Sequence, residues 1–181
     1  VHRLDKDTTG LIVVAKTDEA HQSLVHQFAS RLIRRTYTAL IWGSPGKNAF
    51  QIDAPIGRSR RNRKKMAVVN TGGKAAITNF EVLERFGTTA TLVSCRLETG
   101  RTHQIRVHTC HIGFPIIGDP VYGSGKMRDG VNDELRIKIK SMRRQALHAG
   151  KLSFKHPKTK EVCCFTSQFP DDMRSLIELF K

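Results

Sequence analysis

From Thr36 to Glu98 the chain alternates short apolar runs with turn residues, and this punctuation limits its fold more than any other feature. "TYTALIW" reads as a strand closed by "GSPGKN", and "AFQIDAPI" as a shorter one. "MAVV", "KAAITNFEVLERF" and "TATLVSCRLE" follow, joined by the glycine-bearing turns "NTGGK" and "FGTT". Connections this short imply an antiparallel meander. "ALHAGKLSF" and "EVCCFTS" predict two further strands near the end, and Leu11–Ala15, "LIVVA", predicts a buried one near the start.

Helical spacing interrupts the strands in three places. Ala20, Leu24, Phe28 and Leu32 share a face after an N-terminal signal at Thr17 and Asp18. "TGRTHQIRVHTCHIG" predicts a helix of about ten residues, with Thr102 as N-cap and Gly113 as its stop, and Ile105, Thr109 and Ile112 on one face. "PDDMRSLIELFK" predicts a closing helix with Met173, Leu176, Ile177 and Phe180 along one side. Lys126–Arg144 is polar and basic and predicts a loop or irregular helix. The expected class is α+β, built on a mixed, mostly antiparallel sheet with flanking helices and loops.

Charge narrows the partners. Thirty-one Lys and Arg stand against sixteen Asp and Glu, a formal net charge of +15 in 181 residues. An excess this large points to a polyanion, and nucleic acid is the commonest one. Six basic residues fall within "GRSRRNRKK": Arg58, Arg60, Arg61, Arg63, Lys64 and Lys65. They are the first candidates for phosphate contact. Lys138, Lys140, Arg143 and Arg144 are a second patch. No apolar run is long enough to span a bilayer, and no secretory leader is evident. Cys95, Cys110, Cys163 and Cys164 contain no C-x-x-C pair, which argues against a zinc or disulfide framework and for a reducing cytoplasm. His103, His108, His111 and Cys110 lie close in sequence, but no carboxylate or second thiol accompanies them, so helix packing is the simpler reading.

"HRLDKDTTG" at residues 2–10 is the densest cluster of reactive groups. Asp5, Asp7 and Thr9 fit a D-x-D-x-T string of the kind used by haloacid dehalogenase phosphatases. That chemistry needs a buried strand ahead of the string and a second acidic pair. His2 and Arg3 interrupt any such strand, and the pair is missing. Arg3 and Asp5 are two apart and share a side on an extended segment. The turn residues Thr8, Thr9 and Gly10 would hold Asp5 in a fixed pose, as a nucleophile or base requires.

"HRLDKDTTGLIVVAKT" resembles the signature of the pseudouridine synthases that modify ribosomal and transfer RNA, in the branch of the ribosomal large subunit enzymes. "RTYTAL", "LETGRTHQIRVHTCHIGFPIIGDPVYG" and "RQALHAGKLSFKHP" resemble the family's later elements, in the family's order. "RRNRKKMAVV", "GDPVYG" and "RQALHA" are most similar to the D branch. The resemblance spans nearly the whole chain. The family's strand ahead of "HRLD" and the S4-like RNA-binding domain of the D branch are missing. With Val1 as the first residue, an N-terminally truncated catalytic domain over residues 1–181 is expected.

The resemblance implies isomerisation of specific uridines to pseudouridine, expected in 23S rRNA of the large subunit. It implies a monomeric cytoplasmic enzyme with no metal, no cofactor and no membrane partner. Asp5 matches the catalytic aspartate, acting as nucleophile or as base on the sugar of a flipped-out uridine. Arg106 matches the active-site arginine, paired with Asp5 and holding it ionised; by itself Arg106 would read as a phosphate contact. Tyr37 matches the tyrosine that stacks on the uracil, with its hydroxyl near the C5 proton; on pattern alone it is a strand tyrosine. Arg3 would intrude into the RNA or form a surface ion pair. His2 would bind a phosphate or cap the turn.

Overall fold

The structure is a computed structural model and describes residues 1–123 and 130–181. Its frame is a seven-stranded sheet. The central strand β2 (Arg34–Trp42) pairs antiparallel with β7 (Ala90–Leu97) on one side and with β8 (Leu147–Lys155) on the other. β7 continues the meander into β6 (Ile77–Phe86) and then β3 (Ala49–Asp53). On the far edge of β8 lie β9 (Val162–Thr166), antiparallel, and β1 (Thr9–Gly10), the parallel partner. The class is the expected one, α+β with a mostly antiparallel sheet. A separate hairpin, β4 (Ile56–Arg58) with β5 (Met66–Val68), stands off the main sheet.

Among the described residues four helices flank the strands: α1 (Asp18–Ala29), α2 (Gln104–His111), α3 (Asp133–Met142) and α4 (Asp171–Glu178). The main core joins Leu40, Ile41 and Val93 of the sheet to Ile105 of α2, Ile139 of α3 and Leu176 of α4. A smaller cluster seats Leu24 of α1 on Leu152 and Phe154. Each fully buried large aliphatic side chain contributes about 1.5–3 kcal/mol of transfer free energy, so the sheet–helix packing dominates the stability.

Several expectations change. Leu11–Ala15 is not a buried strand. Beyond Ala149 the free edge of β8 is taken by β9, so the segment runs unladdered past Leu11, whose N–H still reaches Ala149 O at 2.9 Å. Leu11, Val13 and Ala15 pack on the small cluster, while Ile12 and Val14 face outward. The stretch expected as a loop or irregular helix contains the regular helix α3. Asn132 caps Leu135 N–H at 2.8 Å, and Leu135, Ile139 and Met142 make a buried i, i+4, i+7 stripe. Its lysines occupy the opposite face and masked that stripe; residues 126–129 lie outside the described residues. Helix α1 ends at Ala29, before the exposed Leu32, because Arg31 takes the left-handed region at φ 56°. The basic run 57–65 is the turn of a β-hairpin rather than a featureless loop.

Candidate active site

The turn carrying Asp5 is held from below by residues of β8 and the segment entering it. Thr8 N–H bonds Asp5 O at 3.0 Å, and Asp7 sits at φ 67°. Gln145, fully buried, donates its amide to Lys6 O and Thr8 Oγ1, both at 2.8 Å. His148 receives Thr9 Oγ1 at Nδ1, 2.9 Å away, and its Nε2 reaches Ser167 O at 3.3 Å. Gly10 at φ 112° lies so close to β8 that a Cβ there would stand 2.3 Å from Ala149 O. No other residue type fits that crossing.

Asp5 then faces Arg106, the third residue of α2. The helix has no side-chain N-cap. His103, not Thr102, occupies the cap position, in the left-handed region at φ 57°. Non-glycine residues held there cost about 1–3 kcal/mol, and surrounding contacts must over-determine them. Here Gln104 does so. Its carbonyl accepts from Thr99 Oγ1 and Arg101 N–H, and its amide donates to Ile77 O and Thr78 Oγ1. Residues 104–109 are buried all round. His108 is a core histidine, with Nδ1 at 2.9 Å from Thr78 Oγ1 and Nε2 at 3.0 Å from Ala54 O.

Arg106 is shared by two carboxylates. Its Nε and Nη2 donate to Asp119 Oδ2 and Oδ1 at 2.7 and 2.9 Å, and its Nη1 lies 3.5 Å from Asp5 Oδ2. The expected Asp5–Arg106 pair is present, but it is the looser of the two. Asp119 Oδ1 also accepts the Val121 and Tyr122 N–H groups. Burial would raise the Asp119 carboxyl; Arg106 and the two backbone donors outweigh it and hold the carboxyl below its ordinary value. Burial likewise opposes the Arg106 charge, and Asp119 more than restores it. Tyr122 lies beneath the guanidinium, ring centroid 5.1 Å from Cζ. The Tyr122 hydroxyl accepts Met66 N–H at 3.0 Å and meets His103 Nδ1 at 2.8 Å.

A cavity of about 370 Å³ opens over this group, at the small end of the usual range for ligand sites. Asp5, Tyr37, Ile105 and Leu147 line it, together with the exposed Arg3 and Arg101 and the half-buried Arg35. Tyr37 is nearly buried in the middle of β2. Burial raises its phenol above the ordinary value, and Arg35 works against that shift.

The remaining expected site residues divide. Arg3 is exposed and lines the cavity, and the partner of Asp5 is Arg106 rather than Arg3. His2 does not reach outward: its Nε2 accepts Val13 N–H at 3.0 Å and its ring stacks on Phe28. His2 thus ties the start of the chain to the extended segment at Val13 rather than capping the turn that carries Asp5. Arg58, Arg60, Arg61, Arg63 and Lys64 are exposed on the hairpin. Lys65 is bound inward, its Nζ on Val121 O at 2.6 Å. In the second patch Arg144 is neutralised by a bidentate pair with Asp172. Sequence reasoning missed Asp119, Tyr122, Gln145 and His148, although each lies inside a quoted motif. A buried carboxylate or amide gives no periodic signal, so only its partners mark it.

Comparison with known proteins agrees with this architecture. The family model for RNA pseudouridylate synthase matches residues 1–111. The chain is 51% identical over 178 residues to the Bacillus subtilis RNA pseudouridine synthase YlyB, covering 98% of this chain and 54% of that protein. It is 48% identical to ribosomal large subunit pseudouridine synthase D of Nitrosomonas europaea, over all of this chain and 51% of the relative. It thus spans about half the length of the curated relatives it matches. Human RNA pseudouridylate synthase domain containing 4 superposes with a TM-score of 0.78 at 25% identity, over 99% of this chain and 74% of that one. With a matching motif order, a matching fold and a family model covering more than half of its residues, the chain belongs to the RNA pseudouridylate synthase family.

Proposed function

We propose that this chain is the catalytic domain of an enzyme that isomerises uridine to pseudouridine in RNA, and that its substrate is 23S rRNA of the large ribosomal subunit. The observation that carries the reading is the Arg106 guanidinium, fixed by Asp119 and presenting its last nitrogen to Asp5 at the wall of a cavity shared with Tyr37. The relatives named large subunit synthase D support the choice of RNA.

The reaction breaks the C1′–N1 bond of uridine, joins C1′ to C5, moves a proton off C5 and leaves one on N1. Atoms balance within the nucleotide, so no donor or electron carrier enters. Asp5 either attacks C1′ as N1 leaves and is displaced when C5 joins C1′, or removes a sugar proton as N1 leaves and returns it when C5 joins C1′. Arg106 keeps the carboxylate aimed, and Asp119 keeps Arg106 from swinging away. Tyr37 presents its ring to the uracil and its hydroxyl to the C5 side. The exposed hairpin arginines and Arg3 grip the RNA while the base leaves its stack, a step costing a few kcal/mol. The domain acts as a monomer in the cytoplasm.

Release of tritium from [5-³H]uridine-labelled large-subunit rRNA tests the reading. The intact chain is expected to release it, and Asp5→Asn to lower the single-turnover rate by about three orders of magnitude or more. No release by the intact chain from rRNA or tRNA overturns the function. Release that survives the Asp5 change overturns the role of Asp5.

A further inference from the structure

Three arginines among the described residues are drawn substantially out of solvent: Arg35, Arg106 and Arg144. Arg106 is bidentate with Asp119, and Arg144 is bidentate with Asp172. Arg35 has no carboxylate within 4.0 Å among the described residues. Its Nε is buried and has no hydrogen-bond partner. A half-buried guanidinium without an anion carries the desolvation cost that the other two offset.

The surroundings of Arg35 hold this cation in place without neutralising it. The Phe28 ring of α1 lies 5.2 Å from Cζ, a cation–π contact. Gly100 packs against the guanidinium so closely that a Cβ there would stand 3.3 Å from Nη1. His2 also packs against Phe28, ring centroids 4.9 Å apart. Burial and the Arg35 charge lower His2 to about 4, so no second cation forms beside Arg35 near neutral pH. Arg35 lines the same cavity as Asp5, and two positions along β2 stands Tyr37. With Nε buried, the terminal N–H groups are the donors left to the cavity; the Tyr37 hydroxyl takes a side-chain hydrogen bond from the guanidinium. The remaining donors, lacking an acid among the described residues, match an oxyanion supplied from outside.

We propose that Arg35 is a phosphate-binding residue, which takes a backbone phosphate of the RNA strand that carries the reacting uridine to Asp5. The proposal rests on the RNA-modifying reading of the cavity. The phosphate supplies the terminal nitrogens of Arg35 with the anion that Asp119 supplies to Arg106 through Nε and Nη2. The guanidinium is therefore an anchor held at the cavity, in contrast to the solvent-exposed hairpin arginines. Its placement on β2, two residues from Tyr37, sets the distance from the gripped phosphate to the base.

Binding and single-turnover assays on large-subunit rRNA test this, using the intact 181-residue chain, Arg35→Gln, Arg35→Lys and Gly100→Ala. Arg35→Gln is expected to weaken RNA binding about tenfold. It should also reduce the slope of log K against log[salt] by about 1. Arg35→Lys keeps the charge and should keep the slope. Gly100→Ala crowds the guanidinium without removing it, and should slow turnover several-fold at an unchanged slope and melting temperature. Phosphate ethylation of the rRNA next to the modified uridine should inhibit the wild type and lose its effect on Arg35→Gln. An unchanged slope in Arg35→Gln, or identical ethylation interference in both proteins, overturns the proposal. Loss of turnover with no phosphate dependence assigns Arg35 to the base and equally overturns it. Absence of pseudouridine formation by the wild type would instead defeat the underlying reading, and the salt slope would still report on Arg35.

Discussion

At the floor of the cleft, charges come in matched sets: Arg106 with Asp119 and Asp5, each distance set by buried neighbours. Ten or so residues of the β4–β5 hairpin do the opposite. Arg61, Arg63 and Lys64 project from its turn into solvent, and the bonds that Arg58 and Arg60 make go to Arg63 O and Thr71 Oγ1 rather than to acids. On the proposed function, the contrast separates two tasks that net charge alone merges. Chemistry on one sugar needs a few charges fixed in space, at the cost of desolvation. Holding a long polyanion needs many charges left available, and counterion release supplies the binding energy. The two regions nevertheless touch. Lys65 and Met66, at the base of the hairpin, bond to Val121 and Tyr122 in the loop that bears Asp119.

Glycine substitutions should break the symmetry of this picture most severely. Gly10→Ala places a Cβ on the Ala149 carbonyl under the Asp5 turn, and should destabilise the chain by about 4 kcal/mol or more, read by urea unfolding. Gly72→Ala, beside the hairpin at φ 72° but in open space, should cost only about 1 kcal/mol. Comparable losses at the two sites would mean that the cleft is no more rigidly built than the hairpin.

Asp119→Asn comes next. It leaves Arg106 buried with its firmer partner uncharged, and a loss of about 3 kcal/mol is expected in the same assay. The remaining folded protein should show a lower single-turnover rate with RNA affinity nearly intact. A drop in affinity with the rate preserved would move Asp119 from the cleft's task to the hairpin's.

The triple change Arg61→Gln, Arg63→Gln and Lys64→Gln should act in the reverse sense. Stability should stay within about 0.5 kcal/mol. The slope of log K against log[salt] for rRNA binding should fall by about 2, at roughly 0.7 per lost contact to single-stranded RNA.

The smallest effect concerns pH. His2 has its folded-state value lowered to about 4 by burial and by Arg35, against an ordinary 6.5. The unfolded chain therefore takes up the proton first. The stability contributed by neutral His2 is complete above about pH 6.5 and erodes as pH falls toward 4. His108 and His148, also lowered by burial, act in the same direction. His2→Gln should flatten the stability profile in that window without removing its slope. An unchanged profile would show that His2 does not hold the Val13 N–H through its neutral ring.

Much of this was legible from residues. The meander from β2 to β7 and the closing helix announce themselves through alternation and helical spacing, because each buries one face. Asp5, Tyr37 and Arg106 were readable only through the resemblance of their motifs, since single polar residues carry no period. Helix α3 was obscured because its lysines sit on the face opposite Leu135, Ile139 and Met142. Asp119 stayed hidden because its partner is thirteen residues away and only the α2–loop packing brings the two together.

By itself the sequence determined the class of fold, the large positive charge and the identity of the family, because charge excess, turn chemistry and motif order are properties of the chain. Tertiary structure alone decided which charges work and which are consumed. Arg144 and Lys65 look like RNA contacts in sequence and are bound inward in space. Arg35 looks like a strand residue and stands at the cavity with no acid within 4.0 Å among the described residues. Whether a charge is available depends on the partner that folding brings within a few ångströms, and that partner lies far away along the chain.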